Sequence, residues 1–119
     1  MIAVIFEVWP APGRKDDYLR LAASLRDELD HADGFISIER FQGLTEPEKL
    51  LSLSVWRDDE AITAWRNNPR HRASQAAGRG GIFADYRLRI AAVIRDYGMT
   101  DRAEAPVDSR RTHEGQGAL

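Results

Sequence analysis

The stretch FISIERFQGLTEPEKLLSLSVW, residues 35–56, contains two runs in which apolar and polar side chains alternate. Alternation with a period of two predicts one β-strand at residues 35–42 and another at residues 50–56. The connection from Gly43 to Lys49 suits an antiparallel hairpin with a longer loop. The stretch therefore predicts a β-hairpin in the middle of the chain.

A strand and a helix precede this hairpin. Residues 2–9, IAVIFEVW, predict a strand that ends at Pro10. Residues 14–31 carry apolar side chains at helical spacing and aspartates in the first turn, where the helix dipole favours acids. They predict an amphipathic helix that Gly34 terminates.

Helical segments also follow the hairpin. Residues 58–67 predict a helix with an acidic first turn, and Asn68 and Pro69 interrupt it. Asparagine is a good N-cap and proline is a good first helical residue, so a further helix is expected to begin there. Gly78 is the expected C′ residue of that short helix.

The last strand is predicted at residues 82–97, although a helix competes for its second half, where Ala91 and Ala92 are weak strand formers. Residues 99–119 are polar and lack periodicity, so we expect a domain over residues 1–98 followed by a polar C-terminal tail. The complete order, β-α-β-β-α-β, predicts an α+β fold: a ferredoxin-like antiparallel sheet with helices on one face.

The alternation also predicts which side chains the helices cover. Phe6, Ile38, Leu53 and Tyr86 are expected to face the helices. The opposite face then carries a set of large apolar side chains: Ile5, Trp9, Phe35, Phe41, Trp56, Phe83 and Val93. Because so many exposed aromatic side chains indicate a covered surface, we expect a homodimer through the open sheet face. A monomer with an amphipathic outer sheet is the alternative.

Composition excludes several classes of protein and site. The 119 residues include no cysteine and three histidines, which excludes disulfides and thiolate chemistry and disfavours a metal site. The net charge of −2 argues against nucleic-acid binding. The apolar start lacks a basic flank, and no apolar run approaches the ~20 residues that span a bilayer. We therefore expect a cytoplasmic protein without membrane or nucleic-acid partners.

One candidate site lies on the short helix after Pro69. His71, Gln75 and Arg79 are four residues apart, so they share one stripe if the helix persists. His71 titrates near neutrality and is the candidate general base. Small alanines on the opposite stripe suit packing against the sheet, which would turn at least one of the three outward. The direction of His71, toward a cavity or toward water, stays open.

Aromatic side chains form the second candidate set. Trp65 follows Ala61 and Ile62 at helical spacing and faces the core, either as ordinary packing or as a wall for a planar ligand. Phe6 and Tyr86 face the same space, and the Tyr86 hydroxyl bonds either a substrate oxygen or a backbone or water partner. The nearby basic residues either form a solvated helix face or attract an anionic ligand. They are Arg66, Arg70, Arg72 and Arg79.

Several segments resemble the antibiotic biosynthesis monooxygenase family. They are AVIFEVWPAPG, GFISIERF, LLSLSVWRDDEA, AWRNNPRHRASQAAGR and FADYRLRIAAVIRDYG. The resemblance covers residues 1 to about 98 and includes every predicted element in order. It implies a dimeric α+β barrel in which each subunit holds a small-molecule cavity between its sheet and its helices.

The resemblance and the residues together favour a monooxygenase without a bound cofactor, acting on a small aromatic or enolisable substrate. His71 is the predicted base and Tyr86 the predicted donor to a developing oxyanion. The predicted substrate-binding residues are Phe6, Trp65, Gln75, Arg79 and Leu88. No metal site is predicted.

Two alternatives stay open. The first is a haem-binding or haem-degrading protein, since one branch of the family degrades haem with an asparagine on the first strand and a tryptophan and a histidine on the second helix. Phe6 and Glu7 occupy the asparagine region here, Trp65 matches, and His71 follows it too early, while Gln75 lies nearer the expected place. The second is a non-catalytic dimeric module for a small ligand, which predicts a filled space in place of an open pocket.

Overall fold

The computed structural model describes residues 1–113. The strands are β1 (Ile2–Pro10), β2 (Phe35–Gln42), β3 (Leu50–Trp56) and β4 (Phe83–Ala92). The helices are α1 (Lys15–Ser24), α2 (Arg26–Asp30), α3 (Asp59–Arg66), α4 (Pro69–Ala77) and α5 (Val107–His113). A single π-helical turn, Gly78–Ile82, joins α4 to β4.

The strands form an antiparallel sheet in the order β2-β3-β1-β4. The predicted hairpin is confirmed, and the Gly43 N–H donates to the Lys49 carbonyl at 3.0 Å where its loop closes. Apolar side chains of the helices and of one sheet face form two core clusters, one around Val8 and Tyr18 and one around Leu29 and Trp56. The predicted ferredoxin-like α+β fold is therefore confirmed.

The prediction of which face of β3 the helices cover is wrong. Leu53 was expected to face the helices, but β3 pairs Ser52 with Phe6 and Trp56 with Ile2, which puts Ser52, Ser54 and Trp56 on the helix side. Trp56 is 2 % exposed, and its indole N–H donates to the Ser54 hydroxyl at 3.0 Å. Burying the large indole stabilises more than burying a leucine, so Trp56 sets the phase of the strand.

Three aromatic side chains predicted for the outer face lie on the helix side. Phe35 packs edge-to-face on Trp56 beside an irregularity in the β2–β3 pairing, and Phe83 packs edge-to-face on Tyr18. Trp56 is the third. Outer-face positions are confirmed for Ile5, Trp9 and Phe41 by their pairing with Leu53, Asp85 and Leu51. Val93 lies beyond the end of β4, where its N–H donates to the Met1 carbonyl.

Two helical predictions also need correction. The helix predicted at residues 14–31 is interrupted at Leu25, a buried residue between α1 and α2. Gly78 does not end its helix in a left-handed conformation, because its φ is −58° and the chain continues into the π-turn. The positive φ, +130°, belongs to Gly81.

The C-terminal part of the chain adds one element that the sequence pattern did not indicate. Strand β4 ends at Ala92, short of the predicted residue 97, and α5 lies in the segment predicted as a polar tail. The division into a domain of residues 1–98 and a tail stays a prediction, and part of the tail lies outside the described residues. Over residues 1–113, no helix has the length and apolar character needed to cross a membrane.

Candidate functional site

A cavity of about 460 Å³ lies between the helices and the inner face of the sheet. Its floor comes from all four strands, and α1 to α4 and the π-turn enclose it. Every residue predicted for the site lines this space: Phe6, Trp65, His71, Gln75, Arg79, Tyr86 and Leu88. His71, Gln75 and Arg79 therefore all border the cavity.

The junction between α3 and α4 positions His71. The Asp58 carboxylate caps α3 by accepting from the Ala61 N–H at 2.9 Å. The Asn68 side chain caps α4 by accepting from the N–H groups of Arg70 and His71, and Pro69 occupies the first turn, as predicted. A capped helix start immediately before His71 fixes the backbone that carries the imidazole.

The His71 imidazole is half-buried against Trp65. The two rings stack with centroids 5.0 Å apart and planes 25° apart, and Nδ1 lies 3.2 Å from the Trp65 carbonyl oxygen. Burial lowers the pKa of His71 below its usual 6.5, the bond to the Trp65 carbonyl raises it in part, and the charge of Arg72 lowers it further. His71 is therefore a neutral imidazole at pH 7.

The contact with Trp65 also defines the tautomer of His71. A carbonyl oxygen only accepts, so Nδ1 carries the proton and donates it, which leaves the lone pair on Nε2. The Gln75 amide nitrogen lies 3.4 Å from Nδ1, and the Gln75 amide oxygen accepts from Arg72 at 3.0 Å. The Gln75 amide nitrogen is itself a donor and makes no hydrogen bond with a protonated Nδ1, so the bond to the Trp65 carbonyl alone leaves Nε2 as the basic atom.

Aromatic rings form the end of the cavity nearest β4. Phe6 contacts Phe83 and Tyr86 at centroid distances of 5.8 and 5.7 Å. Arg79 donates to the Tyr86 hydroxyl at 2.6 Å. Because that hydroxyl accepts from a cation, its own proton is available to a ligand oxygen.

The sequence analysis missed the polar residues on the cavity floor, although it named the two arginines at the rim. Arg40 on β2 and the buried Ser52 and Ser54 on β3 lie on the inner face, and Arg66 and Arg72 lie at the rim. Had Trp56 been assigned to the helix side, the alternation would have placed Ser52 and Ser54 on that side too. Among the described residues, the cavity lining contains four arginines and no aspartate or glutamate, so the site favours an anionic ligand.

The titratable side chains of residues 1–113 do not form a metal site. No group of three or more histidine, cysteine, aspartate or glutamate side chains within residues 1–113 could hold a metal ion. His71 is the single histidine that lines the cavity in this part of the chain.

Comparison with known proteins identifies related sequences. A family model described as antibiotic biosynthesis monooxygenase matches residues 1–77. A protein of Pyricularia oryzae named jasmonate monooxygenase ABM is 46% identical over 93 residues, which are 78% of this chain and 43% of that protein. The chain therefore spans less than half the length of this relative.

Solved structures share the fold. A Deinococcus radiodurans protein described as an antibiotic biosynthesis monooxygenase superposes with a TM-score of 0.74 at 12% identity, over 82% of this chain and 97% of that one. A Mycobacterium tuberculosis protein superposes with a TM-score of 0.73 at 16% identity, over 82% and 98% of the two chains. At these identities the likeness concerns the fold alone.

Proposed function

This chain belongs to the antibiotic biosynthesis monooxygenase family, and from that premise we propose that it is a monooxygenase acting on a small, apolar, enolisable or aromatic substrate. One observation carries the proposal. A neutral His71 with Nε2 unprotonated and a Tyr86 hydroxyl border the same largely apolar cavity. An open space reaching both groups is what an enzyme requires, whereas a non-catalytic module is expected to fill it with side chains.

The reaction needs no reductant besides the substrate. Nε2 of His71 takes a proton from a CH₂ group that carbonyl or aromatic neighbours activate, and the carbanion passes its electrons to dioxygen. The C–O bond forms, the distal oxygen takes up a proton, and loss of water with the second hydrogen leaves a carbonyl. The balance is R₂CH₂ + O₂ → R₂C=O + H₂O, in which the carbon supplies all four electrons.

The other lining residues hold the substrate and its developing charge. Trp65 and Phe6 provide flat apolar walls, and Leu88 extends the apolar floor toward the edge of β4. The Tyr86 hydroxyl donates to the enolate oxygen, and Arg79 strengthens that donation through its bond to the same hydroxyl. Gln75 lines the cavity beside His71, and its amide oxygen accepts from Arg72.

Size and charge support a small organic acid as the substrate. A cavity of about 460 Å³ lies within the ~300–1,000 Å³ range of small-molecule sites. The Pyricularia relative is named for jasmonate, itself a small organic acid. Arginines without a neighbouring acid in the described lining provide the complementary charge.

Oxygen uptake with anthrone, whose central CH₂ is activated on both sides, tests the proposal. We expect the wild-type chain to consume one dioxygen per anthrone and H71A to be about 10²–10⁴-fold slower. H31A is the matched control, because His31 also binds a backbone carbonyl through Nδ1, that of Asp27 at 2.7 Å, but lies outside the cavity. Equal rates for H71A and wild type would contradict the assignment of the base.

Haem binding is a second candidate, because one feature of His71 favours it. A histidine whose Nδ1–H binds a backbone carbonyl presents Nε2 to a metal, and the rim arginines would suit propionates. When bound, haem would supply iron chemistry at Nε2. Under the leading proposal, stoichiometric haemin added to the protein keeps the Soret band of free haemin. A shifted band that H71A abolishes would favour haem instead.

The assembly that we propose is a homodimer through the outer face of the sheet. That face carries the apolar side chains of the two central strands: Ala3, Ile5, Leu51, Leu53 and Val55. The Glu7 carboxylate beside them is paired with Lys49 and Arg89, so its charge is compensated when the face is covered. An apolar surface across a sheet centre favours covering by a second copy.

A further inference from the structure

Arg40 is an unpaired cation inside the cavity. It lies on β2, on the inner face, and its Nε is buried without a hydrogen-bond partner. Within residues 1–113 its guanidinium makes neither a hydrogen bond nor an ion pair. Burying a polar group without a partner is destabilising, and more so when the group is charged. Such a residue indicates a ligand that supplies the missing acceptor.

Ser52 provides a second donor beside Arg40. The two residues are paired directly across β2 and β3, so their side chains leave the sheet about 5 Å apart on the same face. Ser52 is 7 % exposed and lines the cavity, and its hydroxyl has no hydrogen-bond partner among the described side chains and backbone groups. A guanidinium fork and a hydroxyl at this spacing match a carboxylate.

The sheet floor changes from polar to apolar along one row. The row runs Arg40, Ser52, Phe6, Leu88 from edge strand to edge strand. Three strand spacings make it ~14 Å long. A ligand with a carboxylate at one end and an apolar body therefore fits in one direction only, with its body over Phe6.

We propose that Arg40 and Ser52 bind the carboxylate of the substrate and thereby orient its apolar body toward Phe6 and Leu88. The inference rests on the proposed function only in taking this cavity as the substrate site. The guanidinium neutralises one negative charge and the hydroxyl adds a neutral donor, so the ligand class at this pair is an apolar monocarboxylate.

Equilibrium binding tests this inference without turnover. The probes are 1-naphthylacetate and the neutral 1-naphthylacetamide, titrated calorimetrically into the full chain at pH 8. We expect the wild type to prefer the carboxylate by about tenfold or more, the value of one charge-assisted hydrogen-bonded pair. R40Q should lose that preference and bind the amide unchanged, R40K should keep part of it, and S52A should weaken carboxylate binding a few-fold.

R20Q is the matched control, since Arg20 is an exposed arginine on α1 outside the cavity lining, and it should bind both probes as the wild type does. Unchanged amide binding by R40Q also shows that the variant is folded. The inference is overturned if R40Q keeps the preference, or if the wild type binds the carboxylate no better than the amide. Carboxylate preference without oxygen uptake on any substrate would refute the monooxygenase proposal and leave this site standing.

Discussion

His71 is held as a neutral base by its surroundings, and this has a consequence for pH. Burial against Trp65 and the charge of Arg72 lower its pKa below 6.5, against a smaller opposing effect of the Trp65 carbonyl. Protonation removes the lone pair of Nε2, so kcat/KM should be constant above pH 6.5 and fall as pH drops through the lowered pKa. R72Q removes one lowering influence and should shift this acidic limb to higher pH, as a pH–rate profile would show.

The same pKa shift makes folding depend on pH. Because the unfolded chain binds a proton at His71 more readily than the native chain, stability should decline as pH falls below 6.5. H71Q should flatten this decline in urea titrations. For the rate prediction, an acidic limb of kcat/KM at the same pH in the wild type, R72Q and H71Q would contradict the role of His71.

Residue types and spacing predicted much of the candidate site. The four-residue spacing of His71, Gln75 and Arg79 put them on one stripe, and the structure places that stripe on the cavity. Their direction was not predictable from helix periodicity, because it depends on how α4 packs over the sheet. Arg40 was missed for a related reason. A charged residue in an alternating strand is assigned to the solvent face unless it is known which face of the neighbouring strand is buried.

At the scale of elements, the π-turn Gly78–Ile82 requires glycine at its start. A Cβ at Gly78 would lie 2.4 Å from the Phe83 ring, which is itself packed between Tyr18, Phe6 and Tyr86. Replacing glycine by alanine in a helical conformation ordinarily stabilises by up to ~1 kcal/mol. Here G78A should instead destabilise by about 1–3 kcal/mol, because a confined ring must move.

Urea denaturation monitored by tryptophan fluorescence measures the effect of G78A. G80A is the matched control, since a Cβ at Gly80 meets no atom within 4 Å, and its midpoint should be equal to or above the wild-type value. A G78A midpoint at or above that of G80A would show that Phe83 is not confined. Because Phe83 contacts Phe6 and Tyr86, G78A should also weaken binding in the cavity.

The element order was readable from the sequence because each strand alternates and because α3 and α4 start at capping residues, Asp58 and Asn68. Asn68 and Pro69 predicted the start of α4 to the residue. The phase of β3 was not readable, since Leu53 and Trp56 compete for opposite faces and only tertiary packing decides between them. The break at Leu25 was equally hidden, because no glycine or proline marks it.

At the scale of the molecule, the phase of β3 determines what the outer sheet face offers. With Ser52 and Ser54 turned to the cavity, Leu51, Leu53 and Val55 lie outside, next to Ile5 on β1. The hydroxyls of β3 therefore line the ligand site, and its apolar side chains lie on the opposite face of the sheet. One register therefore couples the polar cavity floor to an outer face suited to dimerisation.

The proposed dimer predicts a mass in solution and its loss on substitution. Light scattering at micromolar concentration should give twice the 13.4 kDa mass of the chain. L53R places a charge at the centre of the apolar face and should give a monomer, because an unpaired charge cannot be buried between two sheets. L44R is the control, since Leu44 is 99 % exposed in the β2–β3 loop and should stay dimeric. A monomeric wild type would refute the interface, while the cavity and its chemistry would remain to be tested within one chain.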